Sequence, residues 1–72
     1  MNLLDAEDGR NYRIEKIDTD DPDMDSFLLR LGAYSGEMIT MVSKKRKSCI
    51  VVIKNSRYSI DVQLAQAIIV AQ

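Results

Sequence analysis

Two clusters of like-charged side chains are the parts of this 72-residue sequence most capable of binding a ligand. The first is acidic and contains Asp18, Asp20, Asp21, Asp23 and Asp25. Carboxylates bind hard cations, but a calcium-binding EF-hand loop fails in either register, because Pro22 takes position 5 counted from Asp18 and Gly32 takes position 12 counted from Asp21. We therefore expect a solvated loop that caps a helix, with no metal site and no cofactor.

The second cluster is basic and consists of Lys44, Lys45, Arg46 and Lys47. Such a run can contact the phosphates of nucleic acid or of anionic lipid. It can also keep a hairpin turn solvated and protect sheet edges. No aromatic residue is interleaved to stack on bases, so the solvated turn is favoured and nucleic acid is the less favoured partner.

Catalysis finds little support in the sequence. There is no histidine for a Ser-His or Cys-His pair, and no glycine-rich loop is followed by the Lys-Ser/Thr of a P-loop. Cys49 begins an apolar segment, where it is expected to pack as a small hydrophobic side chain. A lone cysteine cannot form an internal disulfide, which indicates a reducing compartment. We predict that the protein is not an enzyme.

Hydrophobic periodicity predicts the elements that position these residues. Alternating or continuous apolar patterns predict strands over 12–17, 37–43, 48–54, 57–62 and 67–71, with one helical turn over 63–66. A two-residue turn at Asn55-Ser56 is expected to join two of the strands.

A short helix is predicted between the first two strands. Met24, Phe27, Leu28 and Leu31 lie at i, i+3, i+4 and i+7, which is one stripe of a helix. Asp23 is the expected N-cap, and Gly32 is expected to end the helix with a positive φ. Gly36 then turns the chain into the next strand. Five short strands and one helix favour a compact barrel.

These glycines and apolar positions resemble those of the FeoA family, ferrous iron transport protein A. Gly9 precedes Ile14 and Ile17, Leu28–Leu31 precede Gly32 and Gly36, Ile39 and Met41 open a hairpin, and Ala65 precedes Ile68 and Val70. The similarity covers about residues 9–72. The sequence departs from the family pattern at Ala33, Ser35, Asp61 and the basic cluster.

The resemblance implies a mainly β, SH3-like five-stranded barrel with one short α-helix. It also implies a cytoplasmic, non-catalytic accessory protein of bacterial ferrous iron uptake, whose partner is a membrane permease with a GTP-binding domain. The alternative is a regulatory SH3-like barrel that binds nucleic acid or another protein through its basic hairpin. We expect a single domain over residues 1–72, with 1–9 as a lead-in. The apolar runs of five residues fall far short of the roughly 20 that a membrane span needs, and no signal peptide is expected.

Two apolar runs are the candidate interaction surface. In 50–53 and 67–71 successive side chains point to opposite faces, so one set points away from the barrel core. Either other parts of the chain cover that set, or a partner or second copy does. We predict contacts there from Val51, Ile53, Ile68 and Val70. Tyr34, between the two glycines, is either a further contact or a cover for the barrel end.

Overall fold

A computed structural model describes all residues, 1–72, and places five antiparallel strands around one aliphatic core. The strands are β1 (Arg10–Ile17), β2 (Met38–Lys44), β3 (Ser48–Ile53), β4 (Ser56–Asp61) and β5 (Ile68–Val70). The helices are α1 (Pro22–Leu31) and α2 (Val62–Ala67), and a 3₁₀ turn covers Leu3–Asp5. All five predicted strands are present, and the single turn predicted at 63–66 is a helix of 6 residues.

The sheet has the order β4-β3-β2-β1-β5 and is curved by its longest strand. The first half of β1, Arg10 to Arg13, pairs with β2, whereas its second half, from Ile14, pairs with β5. The register shifts between Ile14 and Lys16 and again between Met41 and Ser43. Such irregularities bend a strand and increase its twist, which lets a short sheet curl around its core.

Helix α1 begins two residues earlier than predicted. Its N-cap is Asp21, whose Oδ1 accepts hydrogen bonds from the amides of Asp23 (2.9 Å) and Met24 (3.4 Å). The prediction of Asp23 as the N-cap was therefore wrong. Pro22 takes the first helical position, where an N–H would have no partner within the helix and its absence costs nothing. The predicted end at Gly32 is confirmed, with φ at +93°.

The turn between β3 and β4 also lies one residue from its predicted place. Lys54 and Asn55 form it, with φ of +50° and +67°, and Ile53 pairs with Ser56 on either side. Two positive φ values are the signature of a type I′ turn, whose twist matches that of the flanking strands. The prediction of Asn55-Ser56 was wrong by this single step.

The core consists of 16 buried hydrophobic residues from every strand, both α-helices and the N-terminal segment. Leu3 and Ala6 of that segment are fully buried. The Val70 amide donates to the Met1 carbonyl at 2.8 Å, and Asn2 forms a bridge to Ile69, so the N-terminal segment lies along β5. Neither helix has the length and apolar character needed to cross a membrane.

Candidate interaction surface

The structure places four of the predicted contact residues in the core. Val51, Ile53, Ile68 and Val70 have exposed fractions of 0–1%. The expectation that they form an exposed apolar face was wrong, because the alternation of β3 directs Cys49, Val51 and Ile53 inward, while the N-terminal segment lies over β5. Coverage from within the chain, which was the stated alternative, accounts for their burial. A partner contact by these four residues stays an untested prediction.

The opposite set of β3 side chains lies on the outer side of the sheet. Val52 is half-buried between Thr40 of β2 and Arg57 of β4. Ile50 is half-buried between Ser43 and Ser59 in the same way. Strand β3 is apolar on both faces, as predicted. The side chains that it leaves accessible to a partner are Ile50 and Val52, and not Val51 and Ile53.

Met38 extends this apolar stripe to the start of β2. It pairs with Arg13 of β1 and is 48% exposed, a high value for a large hydrophobic side chain. The sequence analysis did not name Met38 as a contact residue. The alternation of β2 indicated that Met38 lies on the face opposite Ile39, which is the buried one. We call Met38, Ile50 and Val52 the outer stripe.

Lys54 joins the end of the outer stripe to the loop after α1. Its Nζ lies 2.9 Å from Glu37 Oε2 and 5.1 Å from the centre of the Tyr34 ring. Tyr34 is 38% exposed, so it covers this end of the barrel and also presents part of its ring to solvent. We call Tyr34, Glu37 and Lys54 the corner cluster.

The corner cluster changes the acidity of its own members. The hydrogen bond from Lys54, together with that from the Met38 amide, lowers the pKa of Glu37. The Tyr34 side chain and then the Glu37 carboxylate raise the pKa of Lys54. Both groups therefore stay charged across the physiological range and form an ion pair beside the exposed ring.

A depression of about 270 Å³ connects the corner cluster to the outer stripe. Its walls are Asn11, Glu37, Met38, Thr40, Val52, Lys54 and Asn55. Thr40 and Asn11 close its floor by hydrogen-bonding to each other across β1 and β2. The result is a shallow depression in which Met38 and Val52 are the apolar residues among polar ones, with Arg13 and Arg57 as their cross-strand neighbours.

The basic cluster lies at the opposite end of β2 from Met38. Lys44, Lys45, Arg46 and Lys47 are all exposed, as expected of a solvated hairpin tip. The Lys44 ammonium donates to the Leu4 carbonyl at 3.1 Å, and none of the four forms an ion pair in this structure. These four charges are therefore available to a partner.

The acidic cluster does not assemble a metal centre. Asp21 is occupied as the cap of α1. Nowhere in the structure do three His, Cys, Asp or Glu side chains converge so that they could hold a metal ion. Cys49 is buried, and that burial raises the pKa of its thiol, which disfavours the thiolate that would bind metal or act as a nucleophile.

Comparisons with known proteins give one matching family model and one shared fold. The family model described as the FeoA domain matches residues 1–72. A crystal structure of an iron uptake regulatory protein, FeoA, is 18% identical, with a TM-score of 0.87 over 97% of this chain and 93% of that one. Stenotrophomonas maltophilia FeoA complexed with zinc, described as a prokaryotic SH3 domain protein, is 20% identical, with a TM-score of 0.86 over 99% and 89%.

The same fold occurs inside longer proteins. A manganese-dependent transcriptional repressor is 20% identical, with a TM-score of 0.88 over 100% of this chain but only 41% of the repressor. None of the curated proteins compared with the chain matches it at a significant level. The predicted SH3-like fold with five strands is confirmed.

Proposed function

This chain belongs to the FeoA family, and from that premise we propose that it is a non-catalytic accessory module of bacterial ferrous iron uptake, acting as a single domain over residues 1–72. Its role is to dock on the cytosolic part of a membrane permease that carries a GTP-binding domain. The zinc-bound relative from Stenotrophomonas maltophilia has been put forward as a ferrous iron transport activating factor, which supports the same assignment here. Iron is the cargo of the system in this proposal.

The observation that carries the proposal is the outer stripe beside the corner cluster. A contiguous apolar patch that stays accessible beside polar groups is typical of sites that bind another protein. Here Met38 and Val52 supply the apolar contact, and the exposed edge of the Tyr34 ring adds an aromatic one. Lys54 and Arg57 lie at the rim, where charges orient a partner and speed its association.

The proposed docking is tested by titrating the permease's cytosolic domain with this protein in a calorimeter. We expect saturable binding that changes little with added salt, since apolar contacts are not screened as phosphate contacts are. Met38→Glu should weaken binding at least tenfold. Leu29→Glu is the matched control, because Leu29 is 61% exposed on α1 and lies outside the outer stripe.

Two contradicting results distinguish an error in the proposed function from an error in the proposed docking surface. If the wild-type protein fails to bind that domain but binds nucleic acid in a salt-sensitive manner, the accessory role is wrong and the regulatory alternative through Lys44–Lys47 replaces it. If Leu29→Glu abolishes binding and Met38→Glu does not, the docking role stands but the outer stripe is the wrong surface.

A further inference from the structure

Strand β4 is an open edge of the sheet, and we infer that it pairs with β4 of a second copy of this chain. In the order β4-β3-β2-β1-β5, β4 has a neighbour on one side only. No hydrogen bond outside the strand ladder involves a backbone group of residues 56–60. This inference rests on a different observation from the docking proposed above, although Arg57 lies next to both surfaces.

The turn geometry determines which groups of β4 point outward. In the type I′ turn the Ser56 amide bonds to the Ile53 carbonyl, so Ile53 and Ser56 form a hydrogen-bonded pair. Such pairs alternate along an antiparallel ladder, and therefore Tyr58 and Ile60 also bond to β3. The amides and carbonyls of Arg57 and Ser59 point away from β3 and are free to pair with another strand.

The sequence of β4 is complementary to itself about Ser59. If two copies pair antiparallel with Ser59 opposite Ser59, Arg57 faces Asp61 of the other copy, and both side chains are exposed. Opposite charges facing each other across strands are favourable. The pair occurs twice because the arrangement is symmetric. Asp61 caps α2 through Oδ1 alone, so its second oxygen stays available to Arg57.

The surroundings of β4 make the assembly a closed dimer. Arg57, Ser59 and Asp61 are all exposed, so nothing in the chain covers this side of the strand. The other edge strand, β5, is bridged by Asn2 and is bonded to Met1. With a single open edge, the same surface is used by both copies, which gives a twofold dimer and not a filament.

Disulfide trapping of Ser59→Cys tests the register directly. Residues opposite each other in a hydrogen-bonded antiparallel pair have Cα atoms about 5.5 Å apart, which suits a disulfide. The native Cys49 is buried and is not expected to react. We expect rapid covalent dimers from Ser59→Cys on mild oxidation. Ser56→Cys, a matched control on the same strand, would face residue 62 of the other copy and should form no covalent dimer.

Sedimentation equilibrium tests the association without a crosslink. The wild-type protein should show a concentration-dependent monomer–dimer equilibrium, and Arg57→Glu should weaken it at least tenfold by placing two acids opposite each other. Arg57→Glu and Asp61→Lys should each dimerise weakly alone. Mixing the two variants should restore dimerisation as a heterodimer, because positions 57 and 61 then carry opposite charges in both pairs. A wild-type monomer at every concentration, or a dimer insensitive to Arg57→Glu and untrapped by Ser59→Cys, would overturn the inference.

Discussion

Glu37 and Lys54 are joined by an ion pair of 2.9 Å that ties the loop after α1 to the turn between β3 and β4. The two residues are 17 positions apart in the sequence, and each lies where its own element begins or ends. The methylene stem of Lys54 passes over Gly32, the residue that ends α1. One lysine therefore contacts the end of the helix, the Tyr34 ring and the start of β2.

Replacing Gly32 by alanine should destabilise the protein by about 2 kcal/mol or more, since its φ of +93° is unfavourable for any side chain. The new Cβ would also lie 3.0 Å from Lys54 Cδ and 3.3 Å from Ile53 Cγ2. Gly36→Ala is the control, because Gly36 has a φ of +92° but no atom near the added Cβ, and it should cost about 1 kcal/mol. Urea unfolding measures both; equal costs would show that the contact with Lys54 is unimportant.

Stability should fall at acid pH in a manner that depends on Glu37. Its pKa is lowered in the folded protein, chiefly by the hydrogen bond from Lys54, so the stabilisation is present above the unfolded-state pKa and is lost as pH falls through the folded-state pKa. Glu37→Gln should therefore flatten the pH dependence of unfolding below about pH 5. A ¹³C NMR titration of the Glu37 carboxyl checks the direction. A midpoint at or above the ordinary value for glutamate would refute the pairing.

Asp21→Ala should destabilise α1 by about 1 kcal/mol, because the side chain satisfies two free amides of the first turn. Asp23→Ala is the matched control on the same turn. Its side chain makes no hydrogen bond, so only a favourable interaction with the helix dipole is lost, worth about 0.3 kcal/mol. Thermal unfolding followed by circular dichroism compares the two variants. A larger loss for Asp23→Ala would restore the original sequence-based assignment of the cap.

Val51→Ala and Val52→Ala should differ in stability although they are neighbours. Val51 is completely buried, so its truncation should cost on the order of 2 kcal/mol. Val52 is half-buried on the outer side and should cost less than half as much. Urea denaturation of both variants measures this difference in the free energy of unfolding, and equal m-values show that the midpoints can be compared directly. Equal costs would mean that the alternation of β3 is not the one described.

Cys49 should resist alkylation in the folded protein. The side chain is 1% exposed, and its burial raises the pKa of the thiol, so little thiolate is available near neutral pH. Iodoacetamide followed by mass spectrometry should label the protein in denaturant and leave the native protein unmodified over the same interval. Rapid labelling of the native protein would place Cys49 outside the core.

Local chemistry in the sequence determined most of the elements. The strand alternation, the helical stripe of Met24 to Leu31 and the glycine at its end depend on neighbours within a few residues, so the five strands and α1 were predictable. The cap of α1 and the turn at Lys54-Asn55 were each misplaced by one or two residues, because Pro22 and Asn55 each allow more than one local register.

Only the tertiary structure decided which side of β3 faces the core. A strand that is apolar on both faces, such as 50–53, gives no local signal of its direction, since a shift of one residue exchanges the two faces. The pairing of β3 with β2 and β4 turned Val51 and Ile53 inward and left Ile50 and Val52 outside. The meeting of Glu37, Lys54 and Tyr34 depends in the same way on contacts between distant segments, which no pattern of neighbouring residues encodes.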